Sequence, residues 1–416
     1  MDKLKNKYLF FSPLVVLLII VFLPVFRHLL LEAQDGRSLY SVDYYQNLAF
    51  ENCFEQNVKM EYPPLAGLFF SLPLLFSDQT ENYATTFKII LLVIVAITML
   101  LSLVLLNKSK KQLAWRAVLT LPFLLILTGP AITDCFDIFP AFLVILSIIC
   151  LIERLNAVSW IILGLATCTK VYPVILVPLF CVYLFRQYKI KPFKIIYSQL
   201  PFFLLGMVLP ALPYFFLSRW DDLIYFIQYH ATRGIQNESV WASLINLLGF
   251  WKLPSSVNFE YGSQTIHSVL NPVLINIIPL IMLFVFSLIY LHISKTLKEA
   301  KTSIQKDSLL IWGTFLAILV FIIFNKVLSP AFLTWLILIF PLLQISYSRE
   351  KFNQLFFHLA VICFLTFITS PVLFGPIKAL EENALIVLLA RNLLLVWLFI
   401  RLLPNPLSTN VKIKTQ

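Results

Sequence analysis

The chain has 416 residues, of which 60% are hydrophobic and only 13% are charged. Soluble domains are about 45–50% apolar, so this composition excludes an ordinary soluble protein and predicts a membrane protein. The formal net charge of +11 is divided among short clusters between apolar runs or at a terminus, which argues against a nucleic-acid partner.

The first predicted element is the apolar run from Tyr8 to Leu30, which follows three lysines. It is too long for the apolar core of a signal peptide and lacks a small-residue cleavage site. We therefore expect a retained first membrane span.

Basic and acidic loops alternate along the rest of the chain. Basic clusters lie at 108–116, 186–194, 295–306, 349–351 and 412–414. Because basic loops stay on the cytoplasmic side, both termini are predicted to be cytoplasmic and the acidic loops to face outward.

Apolar runs of about 20 residues recur along the chain and predict an all-α polytopic membrane protein with ten to twelve transmembrane helices. The predicted spans are 8–31, 84–106, 112–131, 138–152, 157–169, 171–185, 194–217, 269–292, 308–325, 331–347, 352–370 and 384–402. The two predicted spans on either side of Lys170 are short, so the predicted number of spans stays at ten to twelve. Residues 1–405 form one membrane domain, and 406–416 form a cytoplasmic tail.

Two outward loops, 32–83 and 218–268, are unusually long and rich in aromatic residues, so they are predicted to form the functional face. Segment 65–76 is too short to cross a bilayer and is expected to be an interfacial helix. The preceding EYPP sequence places Pro63 and Pro64 in its first turn, where prolines are tolerated. These residues either cap the helix alone or also shape a site.

Asp43 is flanked by Tyr44 and Tyr45 near the predicted membrane surface. An acid among aromatic groups can have a raised pKa and accept a proton from a sugar hydroxyl, although it can equally be a solvated loop residue.

Lys170 and Lys326 are predicted at the outer face, against the usual charge bias. An anionic ligand such as phosphate would explain them, and snorkelling toward lipid headgroups is the alternative. The second long loop adds five polar or aromatic residues: His230, Arg233, Gln236, Glu238 and Trp241.

Six segments together resemble a known family. They are VDYY, EYPPLAGLFFSLP, FDIFPAFLVILS, TKVYPVILVPL, YHATRGIQNESVWASL and NKVLSPAFLTWL. The chain resembles the polyprenol-phosphate-sugar-dependent integral membrane glycosyltransferases of the GT-C fold class, and is closest to their α-mannosyltransferase branch, which includes the phosphatidylinositol-mannoside mannosyltransferases.

The resemblance implies that Asp43 is the general base for an inverting transfer. The sugar, with mannose expected, would move from a polyprenyl-monophosphate donor to a lipid or glycan acceptor. Four residues are expected to bind the donor phosphate: Lys170, Arg233, Lys326 and His230. Eight are expected to bind or position the substrates: Glu61, Tyr44, Tyr62, Asp137, Tyr172, Gln236, Glu238 and Trp241. Ala331, Phe332 and Asn237 depart from the family pattern and leave the sugar and acceptor open.

The cysteines show no zinc-like spacing, and neither a metal nor another cofactor is expected. Cys53 and Cys135 are both outward, so a disulfide between them stays an alternative. A transporter or flippase of lipid-linked sugars would also have many spans, as would a transferase of another lipid-linked group. The expected location is a bacterial inner membrane, with an endoplasmic-reticulum membrane as the alternative.

Overall fold

A computed structural model describes residues 40–54, 60–76, 80–109, 114–129, 135–217, 220–249 and 253–407. A few side chains within these ranges, including that of Asp43, are outside the description. The predicted first span, 8–31, and most of the predicted tail also lie outside it.

The described chain is mostly helical. The α-helices are α1 (Tyr40–Phe54), α2 (Pro64–Ser71), α3 (Thr80–Lys108), α4 (Ala114–Thr128), α5 (Ile138–Ile152), α6 (Asn156–Thr169), α7 (Leu176–Tyr188), α8 (Pro192–Val208), α9 (Leu212–Phe216), α10 (Trp220–Thr232), α11 (Val240–Gly249), α12 (Asn271–Glu299), α13 (Ser303–Phe324), α14 (Leu333–Ile339), α15 (Arg349–Phe367), α16 (Phe374–Lys378) and α17 (Glu382–Leu402). The strands are β1 (Ile235–Gln236), β2 (Ser255–Glu260) and β3 (Ser263–Ser268).

Among the described residues, six helical segments are long and apolar enough to cross a membrane. They are Asn82–Lys108, Phe193–Phe216, Asn271–Glu299, Ser303–Phe324, Arg349–Val372 and Glu382–Leu402. Five further predicted spans coincide with shorter apolar helices: Ala114–Thr128, Ile138–Ile152, Asn156–Thr169, Tyr172–Tyr188 and Pro330–Ile345. The architecture is therefore that of an all-α polytopic membrane protein.

The helix ends form two opposite faces. At one end, Lys108 Nζ is 2.7 Å from Glu153 Oε1, and Arg154 is 3.7 Å from Asp307. These contacts bring the ends of α3, α5 and α13 together, and we call this end the basic face. The other end of α5 follows Asp137, and we call that end the site face.

Helix α13 lies at the centre of the bundle, with almost every side chain buried. Helices α6 and α8 cross so closely that side chains are excluded at the contact. A Cβ atom on Gly164 would lie 2.1 Å from the Phe203 carbonyl oxygen, and one on Gly206 would lie 2.1 Å from that of Ile161. Small residues commonly permit such backbone approach between membrane helices.

The first outward loop contains the expected short helix. Pro63 precedes α2, and Pro64 is its first residue. Phe69 stacks on Phe139, with ring centroids 4.2 Å apart, so this helix packs against the bundle through one face. Leu75 is 77% exposed and lies on the opposite side, as expected for an amphipathic surface segment.

The second outward loop contains a small antiparallel sheet of order β1-β3-β2, which the sequence analysis did not predict. Tyr261 and Gly262 form the turn between β2 and β3, and both have positive φ angles of 49° and 65°. Two-residue hairpin turns with this handedness match the twist of paired strands. Ile235 and Ile266 bury the inner side of the sheet against α11 and α12.

Candidate functional site

The site face is built around an ion pair between the ends of two helices. Asp137 precedes α5, and Lys170 follows α6. Lys170 Nζ lies 2.6 Å from Asp137 Oδ1, and the Asp137 side chain is only 1% exposed. The same oxygen accepts a hydrogen bond from Trp335 Nε1 at 2.7 Å, while Oδ2 accepts one from Cys135 Sγ at 2.9 Å. Three donors therefore hold the carboxylate in one orientation.

The length of these helices places the pair in a recess. With a rise of 1.5 Å per residue, the 15 residues of α5 and the 14 of α6 extend only about 22 Å and 21 Å. A hydrocarbon core is about 30 Å thick, so neither helix reaches across it from the basic face. We therefore infer that Asp137 and Lys170 lie at a depth within the bilayer, and we call their surroundings the Lys170 recess.

Aromatic rings surround the Lys170 ammonium. Its Nζ atom lies 5.0 Å from the centroid of Phe136, 5.2 Å from Phe332, 5.4 Å from Trp335 and 6.0 Å from Tyr62. Ring faces at such distances attract a cation and displace water from it. Lys170 donates one hydrogen bond to Asp137, and its side chain stays 18% exposed, so the ammonium can still reach a ligand.

Tyr172 lies behind the pair rather than beside a sugar-sized opening. Its ring stacks on Trp335 with centroids 3.7 Å apart and an interplanar angle of 6°. Trp335 in turn donates to Asp137. Tyr172 therefore supports the indole that orients the carboxylate, which is a positioning role. Trp335 was not predicted as a site residue, although the segment NKVLSPAFLTWL that contains it is part of the family resemblance.

The other residues expected to bind the phosphate lie near Lys170. They are His230 and Arg233, at the end of α10, and Lys326. His230 is under the electrostatic influence of Arg233, Lys170 and Lys326 together, and its ring hydrogen-bonds to the backbone of Glu61. Burial and these three cations lower the pKa of His230 to about 4. The imidazole keeps more than a third of its surface exposed, and it is neutral at pH 7.

Arg233 and Lys326 are cations without acidic partners among the described side chains. The buried Arg233 Nε makes no hydrogen bond there. Lys326 Nζ donates only to the Ala231 carbonyl oxygen, at 3.3 Å. Burial and the nearby Arg233 lower the pKa of Lys326. Two cations held near each other without a carboxylate make a favourable site for an anion.

Residues of the first long loop lie on the other side of the Lys170 recess from His230. Burial, Glu61 and Tyr44 raise the pKa of Tyr62. Glu61 also acts on Tyr229, one residue before His230. The EYPP segment thus joins the two loops at the recess, beyond its role in starting α2. Glu61 and Tyr44 both act on the pKa of Tyr62 and of Tyr229, so they lie near both loops.

Gln236 and Trp241 hold the backbone of the segment that carries Lys326 in place. The Gln236 backbone N–H donates to the Lys326 carbonyl oxygen at 3.0 Å. Trp241 Nε1 donates to the Phe324 carbonyl oxygen, also at 3.0 Å. The Gln236 backbone and the Trp241 indole therefore anchor the segment that presents Lys326.

Glu238 belongs to a second, fully buried polar network. Its carboxylate accepts a hydrogen bond from Gln236 Nε2 at 3.1 Å. Its backbone carbonyl accepts one from Arg391, a buried residue midway along α17, at 2.8 Å. Burial raises the pKa of Glu238 to about 7, against the effect of Arg391. The structure therefore separates Glu238 from the cations around Lys170.

Several expected residues cannot be placed. The Asp43 side chain is outside the described part, although its backbone lies in the first turn of α1, next to Tyr44. Cys135 is a free thiol, and the Cys53 side chain is not described. Within the described residues, no three His, Cys, Asp or Glu side chains converge as a metal site would require.

No protein-family model matches this chain, and no curated protein matches it either. The family resemblance of the motifs therefore stays a prediction. What the site face offers by itself is a recess with aromatic walls, a fixed ion pair and two cations that have no acidic partner in the part of the chain that the structure describes.

Proposed function

We propose that the protein is a membrane glycosyltransferase that uses a polyprenyl-monophosphate sugar, with mannose as the first candidate. The acceptor is a lipid or glycan on the outer face, and Asp43 is the general base. The observation that carries the proposal is the position of Arg233 and Lys326 beside the Lys170 recess, where neither has an acidic partner among the described side chains.

The charge change during transfer explains why cations would be placed there. Asp43 takes the proton of the acceptor hydroxyl, whose oxygen forms a bond to the anomeric carbon. The bond from that carbon to the phosphate oxygen breaks, and polyprenyl phosphate leaves from the opposite side with inversion. The phosphate gains about one negative charge in this step, so Lys170, Arg233 and Lys326 stabilise the transition state more than the bound donor.

The neutral His230 complements these fixed charges. A neutral imidazole can donate one ring N–H to a phosphate oxygen. A bound phosphate also offsets the repulsion from the three cations, which favours protonation of His230 as negative charge develops.

The decisive experiment is sugar transfer in membranes that contain the protein, with radiolabelled polyprenyl-phosphate mannose and extracted lipids as acceptors. We expect Asp43→Asn to lose about 100-fold or more of the rate, as removal of a general base does. Glu382→Gln is the matched control, because Glu382 is an exposed acid at the start of α17. Full activity of Asp43→Asn at equal expression would reject Asp43 as the base.

The phosphate site is tested separately with Arg233→Gln and Lys326→Gln. Each should lower the transfer rate by about 10-fold to 100-fold, since each removes one charge from the leaving phosphate. Lys378→Gln removes an exposed lysine from the short helix α16 and should leave the rate unchanged. Equal rates for all three variants would show that the phosphate binds elsewhere.

Transport is the competing function, and Arg391 is the residue that favours it. Ionisable residues in the middle of membrane helices often mark transport pathways. Arg391, however, donates to the backbone carbonyl of Glu238, and this contact ties a loop to α17. Passage of intact lipid-linked sugar across proteoliposomes, without release of polyprenyl phosphate, would establish transport instead of transfer.

A further inference from the structure

A second cavity lies at the basic face, between the starts of α4 and α15. Its volume is about 410 Å³, within the range of small-ligand sites. Each helix contributes the same series of residues. Arg116 is followed by Thr120 and Phe123, and Arg349 is followed by Asn353 and Phe356, at spacings of four and seven residues in both helices.

These spacings place each series on one side of its helix. Seven residues rise about 10 Å, so each arginine lies about 10 Å from its phenylalanine along the helix axis. Phe123 and Phe356 contact each other, with ring centroids 5.6 Å apart. The cavity therefore has a cationic end at the basic face and an apolar end deeper in the bundle.

The two arginines have no acidic partner among the described side chains. Both are exposed, and the one ring contact of Arg116 is with its neighbour Trp115. Their charge is thus available to a ligand. The exposed acid Glu350 follows Arg349 in sequence but does not line the cavity.

A buried polar group also faces the cavity without a partner. Gln344 lines it and is only 8% exposed, and its Oε1 atom makes no hydrogen bond within the described residues. A buried amide oxygen without a partner is costly, so a ligand with a hydroxyl or amine donor would be favoured there.

The apolar end opens toward the surroundings of the bundle. Phe123 is 50% exposed on a helix that is otherwise mostly buried, whereas Phe352 closes the inner wall. An occupant can therefore extend from the arginines along the aromatic rings to the outside of the protein. A free phosphate would use the arginines and leave the apolar end unfilled.

We propose that this cavity binds the headgroup of an anionic phospholipid. Arg116 and Arg349 contact its phosphate, Gln344 accepts a hydrogen bond from a headgroup hydroxyl, and one acyl chain lies along Phe123 and Phe356. The site is separate from the Lys170 recess and does not depend on the proposed glycosyl transfer.

Native mass spectrometry of the full-length protein in detergent tests this proposal directly. Phosphatidylglycerol and phosphatidylcholine with identical acyl chains are titrated in parallel. We expect one tightly bound phosphatidylglycerol and no comparable phosphatidylcholine, because the latter adds a cation beside the arginines. The double variant Arg116→Gln/Arg349→Gln should bind phosphatidylglycerol at least about 10-fold more weakly than the wild type.

The matched control is Lys295→Gln/Lys298→Gln, which removes two exposed cations from the end of α12 at the same face. It should bind phosphatidylglycerol as the wild type does. Equal affinity in the arginine and lysine double variants would overturn the proposal, as would equal binding of phosphatidylcholine. Inorganic phosphate that displaced the lipid at similar concentrations would show that the site takes free phosphate, and would also overturn it.

Discussion

Asp137 and Glu238 are both buried acids near a cation, but the protein holds them in opposite ways. The Asp137 carboxylate accepts hydrogen bonds from an ammonium, an indole and a thiol. The Glu238 carboxylate accepts only one, from an amide, and its Oε1 atom has no partner among the described residues. Arg391 reaches the backbone of Glu238 rather than its carboxylate.

The difference shows what each acid is suited to do. Asp137 is paired closely enough to fix the position of a cation that faces the recess. Glu238 is buried without such a partner, and the rise of its pKa to about 7 makes it an acid that changes charge near neutral pH. The first pair therefore fixes a cation at the site face, whereas the second network holds a loop against α17.

The largest expected effect comes from breaking the first pair. Asp137→Asn leaves Lys170 as an uncompensated, mostly buried charge, and we expect a loss of about 3–5 kcal/mol in the free energy of unfolding. Denaturant unfolding in detergent at pH 7 measures it. The additional change Lys170→Met should restore most of this loss, because it removes the isolated charge.

Glu238→Gln makes the same acid-to-amide change in the second network and serves as the comparison. At pH 7 the unfolded state ionises Glu238 almost fully whereas the folded state still keeps about half of its proton, so the neutral amide removes this penalty and should raise the free energy of unfolding by up to about 3 kcal/mol. An equal or larger loss in Glu238→Gln than in Asp137→Asn would reverse the assignment of the two acids.

The second prediction concerns the pH dependence of stability. The carboxyl of Glu238 has a pKa of 4.5 when unperturbed and about 7 in the folded protein. Between these values the folded state keeps a proton that the unfolded state has lost, so stability falls as the pH rises and is constant above about 7. The fall amounts to at most about 3 kcal/mol.

Unfolding of the wild type and of Glu238→Gln at pH 5 and pH 8 isolates this contribution. The wild type should lose more stability than the variant between the two pH values. Arg391 and Gln236 are the charged and polar groups that face the carboxylate, and both are unchanged in the variant. Parallel curves for the two proteins would show that the carboxylate of Glu238 stays ionised.

Most of the helical framework was predictable because long apolar runs leave few alternatives to a membrane helix. Six of the predicted spans coincide with long apolar helices and five with shorter ones. Lys170 and Lys326 were identifiable as site candidates for a similar reason, since their predicted location opposes a general charge bias. The hairpin was missed although Tyr261 and Gly262 carry its turn signal.

The partners of the predicted residues could not be read from the sequence. Trp335 and Asp137 are 198 positions apart and meet only in the folded bundle. A loop sequence also does not say which group a side chain contacts, so the hydrogen bond from the Trp241 indole to the last residue of α13 could not be foreseen. Arg391 interrupts an apolar run and was a further signal that the sequence offered and that was overlooked.

The smallest expected effect is that of His230, where three cations face one imidazole. With a folded pKa of about 4, His230 stays neutral from pH 6 to pH 8. His230→Gln should therefore lower the transfer rate by only about 10-fold or less. The size of the loss should also be the same at pH 6 and pH 8.

The lowered pKa also determines how His230 affects stability. An unfolded histidine takes up a proton near pH 6.5, whereas folded His230 does so only near pH 4, so its contribution to stability is lost as the pH falls through this window. NMR titration of ¹⁵N-labelled histidines in the wild type and in His230→Gln identifies the His230 signal. A His230 midpoint at or above about pH 6.5 would mean that Lys170, Arg233 and Lys326 do not face it together, and the proposed phosphate site would lose its basis.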